Sequence, residues 1–269
     1  MKKIIVLIFV FLFTITLPAY CSDGVTVTEM VLFDQSDVKL TMKSIGSSFM
    51  GTELKVLVEN DGEVPVTVQV RDCSVNDYMI DFVMFSASVV AGKKANDSIT
   101  FMSSTLNDNG IETIGTVELS FHVSNSDTWK TIFDTEIITI KTSAAEQITQ
   151  GITETKETVF DQDGITISFV GIDDDTLLGT NVKFFIVNNT DTAITVQTRD
   201  ESVNGFMIFG MMSCDVLPGK MANASLTFLS SSLEENGIDE IEMIEFIFHI
   251  ADKNSWKTII DTDPIEIIP

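Results

Sequence analysis

The residues best able to do chemistry are two histidines, His122 and His249, and two tryptophans, Trp129 and Trp256, the only ones of their kinds in the chain. Alternation places each His on the strand face opposite Phe121 or Phe248, with Glu118 or Glu245 four residues earlier on the same side. A His and a carboxylate on one face supply two metal ligands. A structural zinc site needs four, and a catalytic one usually three plus water. No third ligand is placed by spacing, so a solvent-facing or edge-packed histidine is expected, and no metal or cofactor.

Other chemistries are weighed the same way. Each copy of the repeat described below holds a His with several Ser and Asp, yet no G-x-S-x-G elbow accompanies them, and a triad is defined by geometry. Acids are abundant, but no spacing singles out a carboxylate pair for glycoside cleavage. Asp173-Asp174-Asp175 suggests calcium, but a D-x-D-x-D-G loop is missing and the first copy has Gly46-Ser47-Ser48 there, so a solvated loop is expected. No catalytic residue is assigned, and the chain is read as not an enzyme.

Trp is usually highly buried, so Trp129 and Trp256 read as strand-entry side chains sealing one end of a β-sandwich. If exposed, each would stack on a sugar ring or anchor a partner protein. Trp129, Trp256, His122 and His249 are therefore the candidate ligand contacts. Arg71-Asp72 and Arg199-Asp200 are expected to form ion pairs at a strand end. Met79, Met84, Met207, Met211 and Met212 lack ligand spacing and companion His or Cys, which predicts core filling.

These residues must be held by an element plan that occurs twice. VTVQVRDCSVNDYMI from Val66 returns as ITVQTRDESVNGFMI from Ile194, and Arg71 recurs as Arg199, 128 positions later. GKKANDSITFMSSTLNDNGI from Gly92 returns as GKMANASLTFLSSSLEENGI from Gly219, now at an offset of 127. The copies open on FDQ at Phe33 and Phe160 and close on WKTIFDT from Trp129 and WKTIIDT from Trp256. A period this long predicts whole domains rather than a solenoid. The organisation read is a signal segment (1–21), a first repeat (24–141), a polar linker (142–158) and a second repeat (159–269).

Within a copy the period is two. Val64, Val66, Val68 and Val70 alternate with polar or turn residues, as do Val117, Leu119, Phe121 and Val123. Asn76-Asp77 and Asn204-Gly205 mark two-residue hairpin turns. Ser103 to Gly110 and Ser230 to Gly237 predict one or two helical turns, capped by Ser and left through Gly. The fold expected is all-β, two tandem antiparallel immunoglobulin-like β-sandwiches with one short helical turn each.

The chain has 269 residues, with 40 Asp+Glu against 16 Lys+Arg. Lys2 and Lys3 are the only charges in residues 1–21, so removing that segment takes the net charge from −24 to −26. Such a surface repels phosphate backbones and anionic lipid heads, which argues against nucleic-acid or peripheral membrane partners. The N-terminus reads as an export signal: Lys2-Lys3, an uncharged run from Ile4 to Leu17, then Pro18-Ala19-Tyr20-Cys21. Ala19 and Cys21 suit cleavage before Ser22, with no membrane insertion afterwards. Lipid attachment through Cys21 is disfavoured because Pro18 and Tyr20 break the lipobox. No anchor is read after the last strand at Pro269, so release or attachment through Cys21 is the expectation. Cys73 and Cys214 occupy non-equivalent positions, which predicts two separate free thiols.

The motifs VQxRDxSVNxxMI, GKxANxSxTF, LxxNGI and WKTIxDT resemble uncharacterised immunoglobulin-like modules of secreted and cell-envelope proteins from Gram-positive, clostridial-type bacteria. The resemblance covers both copies and implies a fold and an envelope setting, with no functional residues attached. The function expected is non-enzymatic binding of an extracellular protein or glycan; a spacer without a ligand and a secreted hydrolase or metal-dependent enzyme are the alternatives.

Overall fold

The computed structural model describes residues 24–148 and 157–269, apart from Asp175 and Leu177. The signal segment with Cys21 lies outside these residues. The first half holds β1 (Met30–Gln35), β2 (Val38–Ser47), β3 (Gly51–Asn60), β4 (Val66–Val75), β5 (Tyr78–Met79) and β6 (Val83–Met84). It continues with β7 (Ser86–Val89), β8 (Lys93–Met102), α1 (Ser103–Asp108), β9 (Thr116–Asn125), β10 (Thr131–Asp134) and β11 (Ile138–Lys141). The second half holds β12 (Glu157–Gln162), β13 (Ile165–Asp173), β14 (Gly179–Asn188), β15 (Ile194–Val203), β16 (Phe206–Met207) and β17 (Gly210–Met211). There follow β18 (Ser213–Val216), β19 (Met221–Leu229), α2 (Ser230–Glu235), β20 (Ile244–Asp252), β21 (Thr258–Asp261) and β22 (Ile265–Ile267). The chain is all-β, with two short helices among the described residues.

The pairing scheme of one half matches that of the other. In the first, β1-β2-β3-β8-β6 form one sheet; β10-β9-β4-β5, with β7 on β4 and β11 on β9, form the next. In the second, β12-β13-β14-β19 carry β17, and β16-β15-β20-β21 carry β18 and β22. Alternation drives the layering: Leu54, Val56 and Val58 of β3 are buried with Val66 and Val68 of β4 in one core. Phe33 stacks edge-on to Phe121 and Phe133 there, as Phe184 does to Phe246 and Phe248 in the second core.

The hairpin turns fall where the sequence marks them. Val75 pairs with Tyr78 across Asn76-Asp77, and Val203 with Phe206 across Asn204-Gly205. All four turn residues have positive φ, as a type I′ turn requires. The Asn side chains also act at longer range. Asn76 Nδ2 donates to Thr113 O and its Oδ1 accepts from Gly115 N; Asn204 does the same with Glu240 O and Glu242 N. Gly51 and Gly179 sit where backbones nearly touch: a Cβ would lie 2.0 Å from Phe101 O or Phe228 O.

Three local expectations are corrected. The helices take no Ser cap; Met102 and Leu229 precede them in extended conformation without a side-chain cap bond. The reason is that the serines begin the helix, so the cap position falls on Met102 and Leu229, whose side chains carry no oxygen; Ser103 N donates to Met50 O and Ser230 N to Leu178 O instead. Among the described residues no ion pair joins Arg71 to Asp72 or Arg199 to Asp200. Asp72 and Asp200 have positive φ at a bulge in β4 and β15, and Arg71 turns back to Gln69 and Val70. Of the methionines, Met79 is core because the second half covers it and Met212 packs partly buried against that core, whereas Met84, Met207 and Met211 are exposed. Cys73 and Cys214 are free and buried. Thr142, at the start of the linker, is buried with its Oγ1 donating to Ile114 O.

The halves touch through more than the chain that joins them. β5 pairs in parallel with β19 at Tyr78 and Met221, making one hydrogen-bonded run from β10 to β12. Met79 is buried in the second core, and Phe185 of β14 in the first.

Candidate functional site

The β9–β10 hairpin of the first half and the β20–β21 hairpin of the second carry the candidate residues. Asn125 N donates to Lys130 O and Trp129 N to Asn125 O; Asp252, Lys257 and Trp256 repeat these bonds. Inside the loop Asn125 Oδ1 accepts from the amides of Asp127 and Thr128, and Asp252 Oδ1 from those of Asn254 and Ser255. The Ser255 amide and hydroxyl are the main causes holding the Asp252 carboxyl below its ordinary range. This local bonding forces the fifth loop residue into the left-handed region, and that residue is Trp in both loops, each with φ 58°.

Neither Trp seals a sandwich end. Trp129 is 71% exposed and Trp256 63%, which overturns the buried expectation. The left-handed backbone directs the side chain away from the sheet. A bulky residue with positive φ is a genuine outlier, costing about 1–3 kcal/mol, and such positions cluster where a side chain has a task.

Farther down the same hairpin, His122 is paired across to Asp134 and His249 to Asp261. Each Nδ1 lies 2.6 Å from the Asp Oδ1. His122 is partly exposed, whereas His249 is buried at 5% exposure and does not face solvent. The acids that reach the histidines are thus the Asp of WKTIxDT. Glu118 instead meets Lys220 and Thr139, and Glu245 meets Ser202. Register could have found these Asp residues, once the Asn125–Lys130 loop was placed.

A row of side chains crosses each outer sheet: Ser86, Gln69, His122, Asp134, and Ser213, Gln197, His249, Asp261. The Ser and His of a row are two strands apart, roughly 9–10 Å by strand spacing. A nucleophile and its base need about 2.6–3.2 Å, so the row is not a hydrolytic triad. Among the described residues no three His, Cys, Asp or Glu side chains gather as a metal site. Asp173 pairs with Lys183 at 2.6 Å, and Asp175 of that acidic run lies outside the described residues.

Two clefts lie where the halves meet. One, of about 590 Å³, includes Asn76, Asp77, Glu118 and Lys220. Lys220 donates to Asp77 at 2.7 Å and to Glu118. Burial works to lower its pKa, but the hydrogen bonds it donates to Asp77 and Glu118 outweigh this and leave it raised. The other, of about 510 Å³, is lined by Asp72, Asp81, Asp215 and Lys253. Lys253 bridges Asp72 and Asp215. Crowding by protein, then the charge of Asp215, raises the Asp81 pKa, although its surface still meets solvent. Burial, then Asp81 and Asp215, pushes the Cys214 thiol up to about 12. Lys220 and Lys253 were not anticipated from sequence, since their partners Asp77, Glu118 and Asp72 lie in the other half, 102 to 181 residues away.

No family model and no curated relative matches the chain. Among solved structures, the YadV chaperone is 11% identical, with 81% of this chain and 92% of that one covered at a TM-score of 0.26. A Salmonella enterica SafA pilin in complex with the SafB chaperone is 12% identical, covering 88% and 98%, at a TM-score of 0.24. A Porphyromonas gingivalis protein of unknown function is 13% identical, covering 88% and 97%, at a TM-score of 0.21. At such scores function rests on this chain's own residues. Among the described residues no helix is long and apolar enough to cross a membrane.

Proposed function

We propose that the chain is a pair of tandem immunoglobulin-like β-sandwich domains from a secreted or cell-envelope protein, like the clostridial-type modules its motifs resemble. It binds an extracellular protein or glycan without catalysing a reaction. The observation that carries this reading is the matched pair of Trp129 and Trp256, each exposed on a hairpin tip in a backbone conformation unfavourable to it. A rigid indole held in water at the same place twice supplies contact area at low entropic cost. The bulky side chain has no burial to explain it. Two such tips on one chain also favour simultaneous contact with a repeating target.

The test is a panel of envelope polysaccharides, a glycan array and purified secreted proteins, probed with wild type and the Trp129→Ala/Trp256→Ala double variant. Wild type should bind at least one member, and the double variant should lose about 30-fold or more in affinity, the effect of a hot-spot residue. Binding by neither protein, or equal binding by both, overturns the proposal.

A further inference from the structure

The two copies differ in what covers the β4–β5 hairpin and its counterpart. In the first half, Tyr78 and Met79 are only 6% and 7% exposed, because the second half covers them. Met221 N donates to Asp77 O at 2.9 Å, and the Tyr78 ring stands 6.0 Å from Phe185. Lys220 adds its bonds to Asp77 and Glu118. In the second half the same turn presents Phe206, Met207 and Phe209 at 49%, 71% and 76% exposure. One hairpin is thus seated and its twin is bare.

The receiving face also exists twice. Phe185, Val187, Lys220, Met221 and Asn223 of the second half correspond to Leu57, Glu59, Lys93, Lys94 and Asn96 of the first. There β8 pairs with β3 along its length but with β6 only at Thr100 and Phe101, so among the described residues its edge beside Lys94 carries no strand, where the matching edge of β19, beside Met221, takes β5. Lys93, Lys94 and Asn96 are exposed. One charge fits as well: Lys55 and Lys94 of this face pair with Glu53 and Glu59, while Lys93 is exposed and left to meet a carboxylate of a partner. The bare hairpin is flanked by Glu240, Glu242 and Glu245, and Glu245 is the counterpart of the Glu118 that meets Lys220.

We infer that the chain associates head to tail with a second copy of itself. The Phe206–Phe209 hairpin of one copy docks on the Leu57–Lys94 face of the next, with Glu245 meeting Lys93 as Glu118 meets Lys220 within the chain. The contact is heterologous, so it extends into an open series instead of closing as a symmetric dimer. Where the internal contact has Met221 and Val187, the external one has the Lys94–Glu59 pair. That exchange makes it weaker than the internal contact and sensitive to salt. The inference does not depend on Trp129 or Trp256, which its variants leave intact.

The experiment is sedimentation velocity on the full-length protein, expressed with its own N-terminus, over a concentration series. Mass should rise above that of one chain in an open series and fall back at high salt. Met207→Asp/Phe209→Asp should leave monomer, as should Lys93→Glu alone, with unchanged circular dichroism. Combining Lys93→Glu with Glu245→Lys should restore association, an outcome that general stickiness of the hairpin would not give. Monomer at every concentration, a dimer that does not extend, or association that survives Lys93→Glu overturns the inference.

Discussion

Lys220 of the second half donates to Asp77 of the first at 2.7 Å, beside the bond from Met221 N to Asp77 O. One turn residue, Asp77, is therefore held by both its side chain and its carbonyl. Lys220→Ala should lower stability by about 1–2 kcal/mol, between the values for exposed and buried pairs, since Lys220 is shielded while Asp77 is open. Calorimetry should show the two halves unfolding less cooperatively. Because the folded pKa of Lys220 is raised, the contribution is complete below the ordinary lysine value of about 10.5 and is lost as pH climbs through the folded one.

The tip tryptophans make an unusual stability prediction. Gly accepts a φ of 58° freely, whereas an L side chain there costs about 1–2 kcal/mol, partly offset by glycine's freer unfolded chain. Trp129→Gly should therefore leave stability unchanged or raise it by up to about 1 kcal/mol in urea titration. A loss above about 1 kcal/mol would show that the indole packs against the fold.

Asp81 is the carboxyl whose ionisation the fold opposes. With its folded pKa raised above the unfolded value, its favourable contribution is present below about 3.8 and disappears as pH rises through the folded value. Asp81→Asn should raise the thermal midpoint at pH 7 and have little effect at pH 3. Equal shifts at both pH values would point to packing instead of charge.

The two tip loops should respond differently to acid. Asp252 organises the second loop and has a lowered pKa, while Asn125 does the same work in the first without a titrating group. The stabilisation from Asp252 is present above about 3.8 and lost as pH falls through its lower folded value. In a Trp129→Phe protein the remaining Trp256 emission should change on acidification; in Trp256→Phe, that of Trp129 should not.

Much of the backbone plan was legible because it depends on local periods. Val66 and Val68 alternate with polar neighbours, and Asn76 and Asn204 occupy turns that need positive φ, so strands and hairpins follow from near neighbours. The candidate site was only half legible. His122 and Trp129 stood out by type, but the Asp134 partner depends on register, and the exposure of Trp129 depends on a bond from its own amide to Asn125. Burial averages for Trp pointed the wrong way, because a left-handed backbone overrides them. The methionines failed for a different reason. Met79 and Met207 are equivalent in sequence, yet one is core and the other bare, since only the first has a neighbour to cover it.

The strand bridge at Tyr78 and Met221 has a mechanical consequence. Tension applied across the chain does not run through the covalent connection alone; it is also carried by the strand pairing of β5 with β19 and by the bonds of Lys220 to Asp77 and Lys253 to Asp72. Under load the two halves should yield as a coupled strut, the bridge shearing before either core opens.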